Sequence, residues 1–148
     1  MQAVTPVRTL VAFVLLGALS GCTSQPNDPC EPGRQAAARG DPASAIALWE
    51  TESSDPTPKE KLRAVWSCLR SSGLAANDVE AARWIVSAAE RTGGRAELYA
   101  GMLYASGAGV PRDLGTARVI LNRALMHSRR DAEQMLDVLD ATEANATR

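Results

Sequence analysis

Histidine and aromatic residues are scarce in this 148-residue chain, which holds one His, three Trp, two Tyr and one Phe. One histidine leaves no ligand set of the usual zinc type, which draws several ligands from Cys and His. His127 stands near an expected helix end beside Ser128, Arg129 and Arg130. An imidazole there ordinarily meets terminal carbonyls, and no nucleophile evident in the sequence waits for it to activate. Charge of one sign is also lacking: 16 Lys and Arg oppose 17 Asp and Glu, a formal net charge of −1. That balance gives no electrostatic case for nucleic acid, whose phosphates demand clustered cations. No phosphate-binding loop is present, because Gly107 and Gly109 have no strand before them and no Lys after them. Glu133, Asp137 and Asp140 lie three and four residues apart, the spacing of a solvated helix face rather than an acid/base pair. No catalytic residue, metal or cofactor is therefore expected.

Long apolar runs are missing too. The stretch from Thr9 to Leu19 is about half the roughly 20 residues that a permanent membrane helix needs. It follows Arg8 and ends in Leu19-Ser20-Gly21-Cys22, so it reads as a cleaved targeting segment. The pattern resembles a bacterial lipoprotein signal. The resemblance implies cleavage before Cys22, a diacylglyceryl group on its thiol and acylation of the new amino terminus. Several acyl chains anchor stably where one holds only marginally. Thr23, in place of Asp, resembles the pattern sorted to the outer membrane of Gram-negative cells, which implies an envelope protein facing the periplasm. The expected organisation is a signal peptide at 1–21, a lipidated terminus and flexible tether at 22–31, a helical domain at 32–140, and a disordered tail at 141–148.

Two cysteines, Cys30 and Cys68, remain after lipidation. In an oxidising periplasm a pair suits a disulfide, and closing the loop between them would stabilise the fold by roughly 4 kcal/mol. The alternative is two unrelated thiols, Cys68 in a helix and Cys30 in the tether.

Low aromatic content and abundant alanine favour closely packed helices. Asp41-Pro42 resembles a helix start, an N-cap followed by proline. Thr57-Pro58-Lys59-Glu60 adds a capping box, and Leu62, Val65, Trp66 and Leu69 then fall on one face. Asp78 is expected to open a helix carrying Ala82, Ile85, Val86 and Ala89, and Asp113 one carrying Ala117, Ile120, Leu121 and Ala124. A last helix follows Ser128, with Ala132, Met135, Leu136 and Leu139 in register.

An Asp-x-x-x-Ala motif recurs at Asp41/Ala45, Asp78/Ala82 and Asp113/Ala117, at offsets of 37 and 35 residues. A period of that size indicates stacked helix pairs. Ser72-Gly73 and Ser106-Gly107 fall at equivalent points, each closing the first helix of a pair. The segment 94–128 carries Ala96, Gly101, Tyr104, Gly107, Gly109, Val110, Asp113, Ala117 and Ala124. At that spacing these residues resemble Sel1-like repeats, relatives of the tetratricopeptide repeat. The resemblance implies an all-α fold, a short α-solenoid of antiparallel helix pairs. In it Gly101 allows close helix approach and Gly107 and Gly109 shape the turn. The preceding unit departs from the pattern: Ser67 and Arg70 replace the first glycine and the tyrosine, and Leu74-Ala75-Ala76-Asn77 replaces the turn.

Helix-pair solenoids offer a curved face to a partner. The expected function is a lipid-anchored protein–protein interaction module of the envelope. Arg63, Arg70, Trp84, Arg95 and Tyr99 are the candidate contact residues, while Trp66, on an apolar stripe, is read as core. Two alternatives remain: a pilotin-like assembly factor for an envelope machine, and a cell-wall enzyme, since some cysteine-rich Sel1-like proteins are linked to penicillin binding or hydrolysis.

Overall fold

The computed structural model describes residues 27–146, so the expected signal segment at 1–21 and Cys22 lie outside the described residues. Those residues form seven α-helices and no strand: α1 (Glu31–Ala38), α2 (Pro42–Glu50), α3 (Pro58–Ser71), α4 (Asp78–Thr92), α5 (Arg95–Ser106), α6 (Leu114–Ala124) and α7 (Arg129–Ala146). The expected all-α class is what they show. No helix among them is long and apolar enough to cross a membrane. The last helix runs to Ala146, past residue 140, where a disordered tail was expected to follow; Thr142 continues it, its hydroxyl donating to the Val138 carbonyl at 2.8 Å.

Local signals place most helix starts. Asp41 and Asp113 are N-caps whose carboxylates accept from the amides of Ser44, at 3.0 Å, and Thr116, at 2.9 Å. Two expectations need correction. Thr57 makes no side-chain cap bond, so the expected capping box does not form; Glu60 turns instead to Arg63 at 2.7 Å. The cap of α4 is Asn77, which accepts from the Glu80 amide at 3.0 Å. That leaves the carboxylate of Asp78, the first helical residue, free to accept from Trp66 and Arg70, both at 3.0 Å, across the α3–α4 junction.

Consecutive helices pack side by side, most closely α5 with α6, α4 with α5 and α1 with α2. Gly101 is the reason α6 comes so near: a Cβ there would lie 2.7 Å from Leu121 Cγ. Ser67, at the equivalent point of α3, is exposed, and α3 meets α4 only sparsely. Gly73 and Gly107 close α3 and α5 at φ of 70° and 77°, a conformation glycine adopts without penalty. Val65, Leu69, Ile85 and Leu121 of the expected stripes are at most 1% exposed, and Leu98 of α5, outside those stripes, is buried with them. Each such side chain contributes about 1.5–3 kcal/mol by leaving water. Trp49 is fully buried against Gly33, where any side chain would overlap the indole, and its Nε1 donates to the Cys30 carbonyl at 3.0 Å. The sulfurs of Cys30 and Cys68 lie at disulfide distance, with Cα atoms 5.2 Å apart, joining the start of α1 to α3.

Candidate functional site

A groove of about 640 Å³ opens between α3, α5 and α7, with Leu114 and Leu121 of α6 also in its lining. Pro58 and Leu62 line it from α3, Met102 and Ala105 from α5, and Met135 and Val138 from α7. The helical periodicity that turns Val65 and Leu69 inward leaves Leu62 on the groove side, half-buried. Likewise Leu139 is 2% exposed while Val138, one residue before it, is 55% exposed. Two flexible thioethers, Met102 and Met135, give the walls an adaptable apolar surface. Only Lys59 and Arg112 bring charge to the lining, both cationic. Arg112 is steadied at the rim by its Nε, which donates to the Ala105 carbonyl at 3.1 Å. An apolar surface of this kind with basic edges suits an apolar segment whose flanks are neutral or acidic.

None of the five contact residues expected from sequence lines this groove. Tyr99 is fully buried, its hydroxyl donating to Glu50, and cannot reach a partner. Burial, reinforced by the bond to Glu50 and its negative charge, pushes the phenol well above its ordinary range. Arg95 lies between Glu50, at 3.4 Å, and Asp131, at 2.8 Å, so it holds α2, α5 and α7 together. Arg70 pairs with Asp78 and Arg63 with Glu60 on the exposed surface. Trp84 is half-buried, its ring centroid 5.6 Å from that of Trp49 at an interplanar angle of 53°. It is an inter-repeat contact first. Trp66, read as core, is only half-buried, because its Nε1 reaches out to Asp78. His127 is exposed in the turn between α6 and α7.

The residues that do line the groove were missed because side chains interrupting an apolar stripe were weighed above the stripe's own edge. Leu62, Met102 and Met135 carry the signal that could have found them: apolar positions on the first helix of successive pairs, flanking the most buried ones. Gly101 seats Leu121, and Gly109, at φ 71°, lies against the Asp78 carbonyl and Ala82. Ala96, Ala117 and Ala124 are buried, and the Tyr104 carbonyl accepts from the Asp113 amide at 2.9 Å beside the half-buried Val110. Comparison with known protein families, with curated protein sequences and with solved structures gives no match.

Proposed function

We propose that this chain is a lipid-anchored, non-catalytic interaction module of the bacterial envelope, a short Sel1-like α-solenoid that receives an apolar segment of a protein partner in the groove between α3, α5 and α7. The groove carries this reading: it is open, largely apolar and lined chiefly by α3, α5 and α7. Side-by-side packing of consecutive helices supports the solenoid arrangement, and the tight seats of Gly101 and Gly109 support the Sel1-like assignment. Anchoring through Cys22, with the domain facing the periplasm from the outer membrane, rests on the Leu19-Ser20-Gly21-Cys22 pattern. The apolar walls offered by Leu62, Met102, Met135 and Val138 favour a protein partner over a cell-wall glycan.

Photo-crosslinking from positions 102 and 135 of the anchored protein in its own cells tests the reading. The expected result is one dominant envelope-protein adduct that disappears when Leu62→Asp is introduced and the helical signal is unchanged. Capture of peptidoglycan fragments alone, or of nothing above a Cys22→Ser control, would overturn it. A single partner of fixed stoichiometry drawn from a secretion or pilus machine would specify the pilotin-like form of the same role.

A further inference from the structure

Resting on the interaction reading above, the shape and charge of the groove narrow the class of partner it takes. We propose that the segment seated between α3, α5 and α7 is an amphipathic α-helix of the partner protein, with acidic residues flanking its apolar stripe.

The spacing of the walls supplies the first argument. Helix α7 contributes Gln134, Met135, Val138, Leu139 and Thr142 to the lining. These positions recur at intervals of one, three and four, so they form one stripe along about two turns of the helix. From Gln134 to Thr142 that stripe is about 12 Å long at the helical rise per residue. A second helix laid beside it advances at the same rate and meets it with apolar side chains at i, i+3 or i+4, and i+7. The other walls are ridged in the same way, Pro58 and Leu62 of α3 at i, i+4 and Met102 and Ala105 of α5 at i, i+3. Ridges at helical spacing receive the ridges of another helix.

Hydrogen bonding gives the second argument. An extended segment draws its main-chain bonds from a sheet edge, and the described residues hold no strand. Two of the polar side chains in the lining are already turned to their own helices. The hydroxyl of Ser106 donates to the Met102 carbonyl at 2.9 Å, and that of Thr142 to the Val138 carbonyl at 2.8 Å. A helical occupant brings its backbone bonds with it and asks little of such walls.

Charge sets the flanks. Lys59 and Arg112, the charged residues of the lining, are both exposed and have no ion-pair partner among the described residues. Their acidic neighbours in sequence are engaged elsewhere: Glu60 pairs with Arg63, and Asp113 accepts from the amide and hydroxyl of Thr116. One cation comes from α3 and the other from the turn before α6, so the groove attracts an occupant with acidic flanks and repels a basic one.

Photo-crosslinkers at positions 102 and 135 of the full anchored chain mark the contacted partner residues, and the segment that holds them is then made as a synthetic peptide. The two probes are expected to mark residues three, four or seven apart, with Asp or Glu alongside. Bound to the full chain, the peptide should show helical circular dichroism. Lys59→Glu with Arg112→Glu should weaken its binding about tenfold or more while the protein's own helical signal is unchanged, and replacing the peptide's acids by Lys should restore binding to that double variant. A peptide that binds in an extended form, or equally well to the double variant, overturns the helical inference and leaves the interaction reading standing. An adduct with lipid alone, or no adduct, overturns both.

Discussion

Tyr99, near the start of α5, donates its phenolic proton to the carboxylate of Glu50 at the end of α2. Glu50 is 10% exposed and also meets Arg95, which reaches on to Asp131 of α7. One polar chain thus joins three helices from distant parts of the sequence, and its members depend on one another for satisfaction.

Tyr99→Phe removes the donor and leaves part of a buried carboxylate unserved. The expected loss is about 1–3 kcal/mol in urea unfolding. The same pair sets an alkaline limit. Folding raises the pKa of Tyr99 above its ordinary 10.0, through burial first and the bond to Glu50 second. The folded state keeps a proton that the unfolded chain gives up, so this contribution is complete below pH 10 and is lost as pH rises further. Stability curves of the parent should fall above that pH, and those of Tyr99→Phe should fall less.

Reduction of the Cys30–Cys68 pair, separated by 38 residues, should lower stability by roughly 4 kcal/mol. Unfolding midpoints with and without a thiol reductant give the number. Cys30→Ser with Cys68→Ser should match the reduced parent and no longer respond to reductant.

Two glycines separate backbone strain from crowding. Gly73 has φ 70° with open space where a Cβ would go, so Gly73→Ala should cost only the left-handed penalty of about 1–2 kcal/mol. Gly109 has φ 71°, and a Cβ there would overlap the Asp78 carbonyl and lie 2.7 Å from the Cβ of Ala82. Gly109→Ala should cost clearly more, with the difference appearing as a lower thermal midpoint. Equal losses would mean that the α5–α6 turn can withdraw from α4 freely.

Acid should release the cap of α6. The backbone amide of Thr116, followed by its hydroxyl, lowers the pKa of Asp113 below 3.8. A carboxyl depressed by folding stabilises the folded state above its unfolded pKa, and this is lost as pH falls through the folded value. Carboxyl titration by NMR should place Asp113 below 3.8, and Thr116→Val should move it back toward that value.

Local chemistry was the legible part of this fold. Asp41 and Asp113 cap their helices because an Asx side chain needs only its own chain three residues on. Ile85, Leu121 and Leu139 are buried because period alone chooses the inner face. Other features depend on partners farther along the chain. With Asn77 as the cap, the carboxylate of Asp78 serves Trp66 and Arg70, and Tyr99 was drawn inside by Glu50, 49 residues earlier. The groove is still further from the sequence, since it exists only where α3, α5 and α7 come to stand around a gap.

The bridge between Cys30 and Cys68 also sets the route of mechanical load. Tension arriving from the N-terminal side enters the domain at Cys30 and crosses the sulfurs directly to α3. Helices α1 and α2 lie inside the covalent loop, which keeps them from being drawn out along the chain. If the chain is anchored and the groove binds as proposed, a pull on the tether would reach α3, one wall of that groove, through the sulfurs.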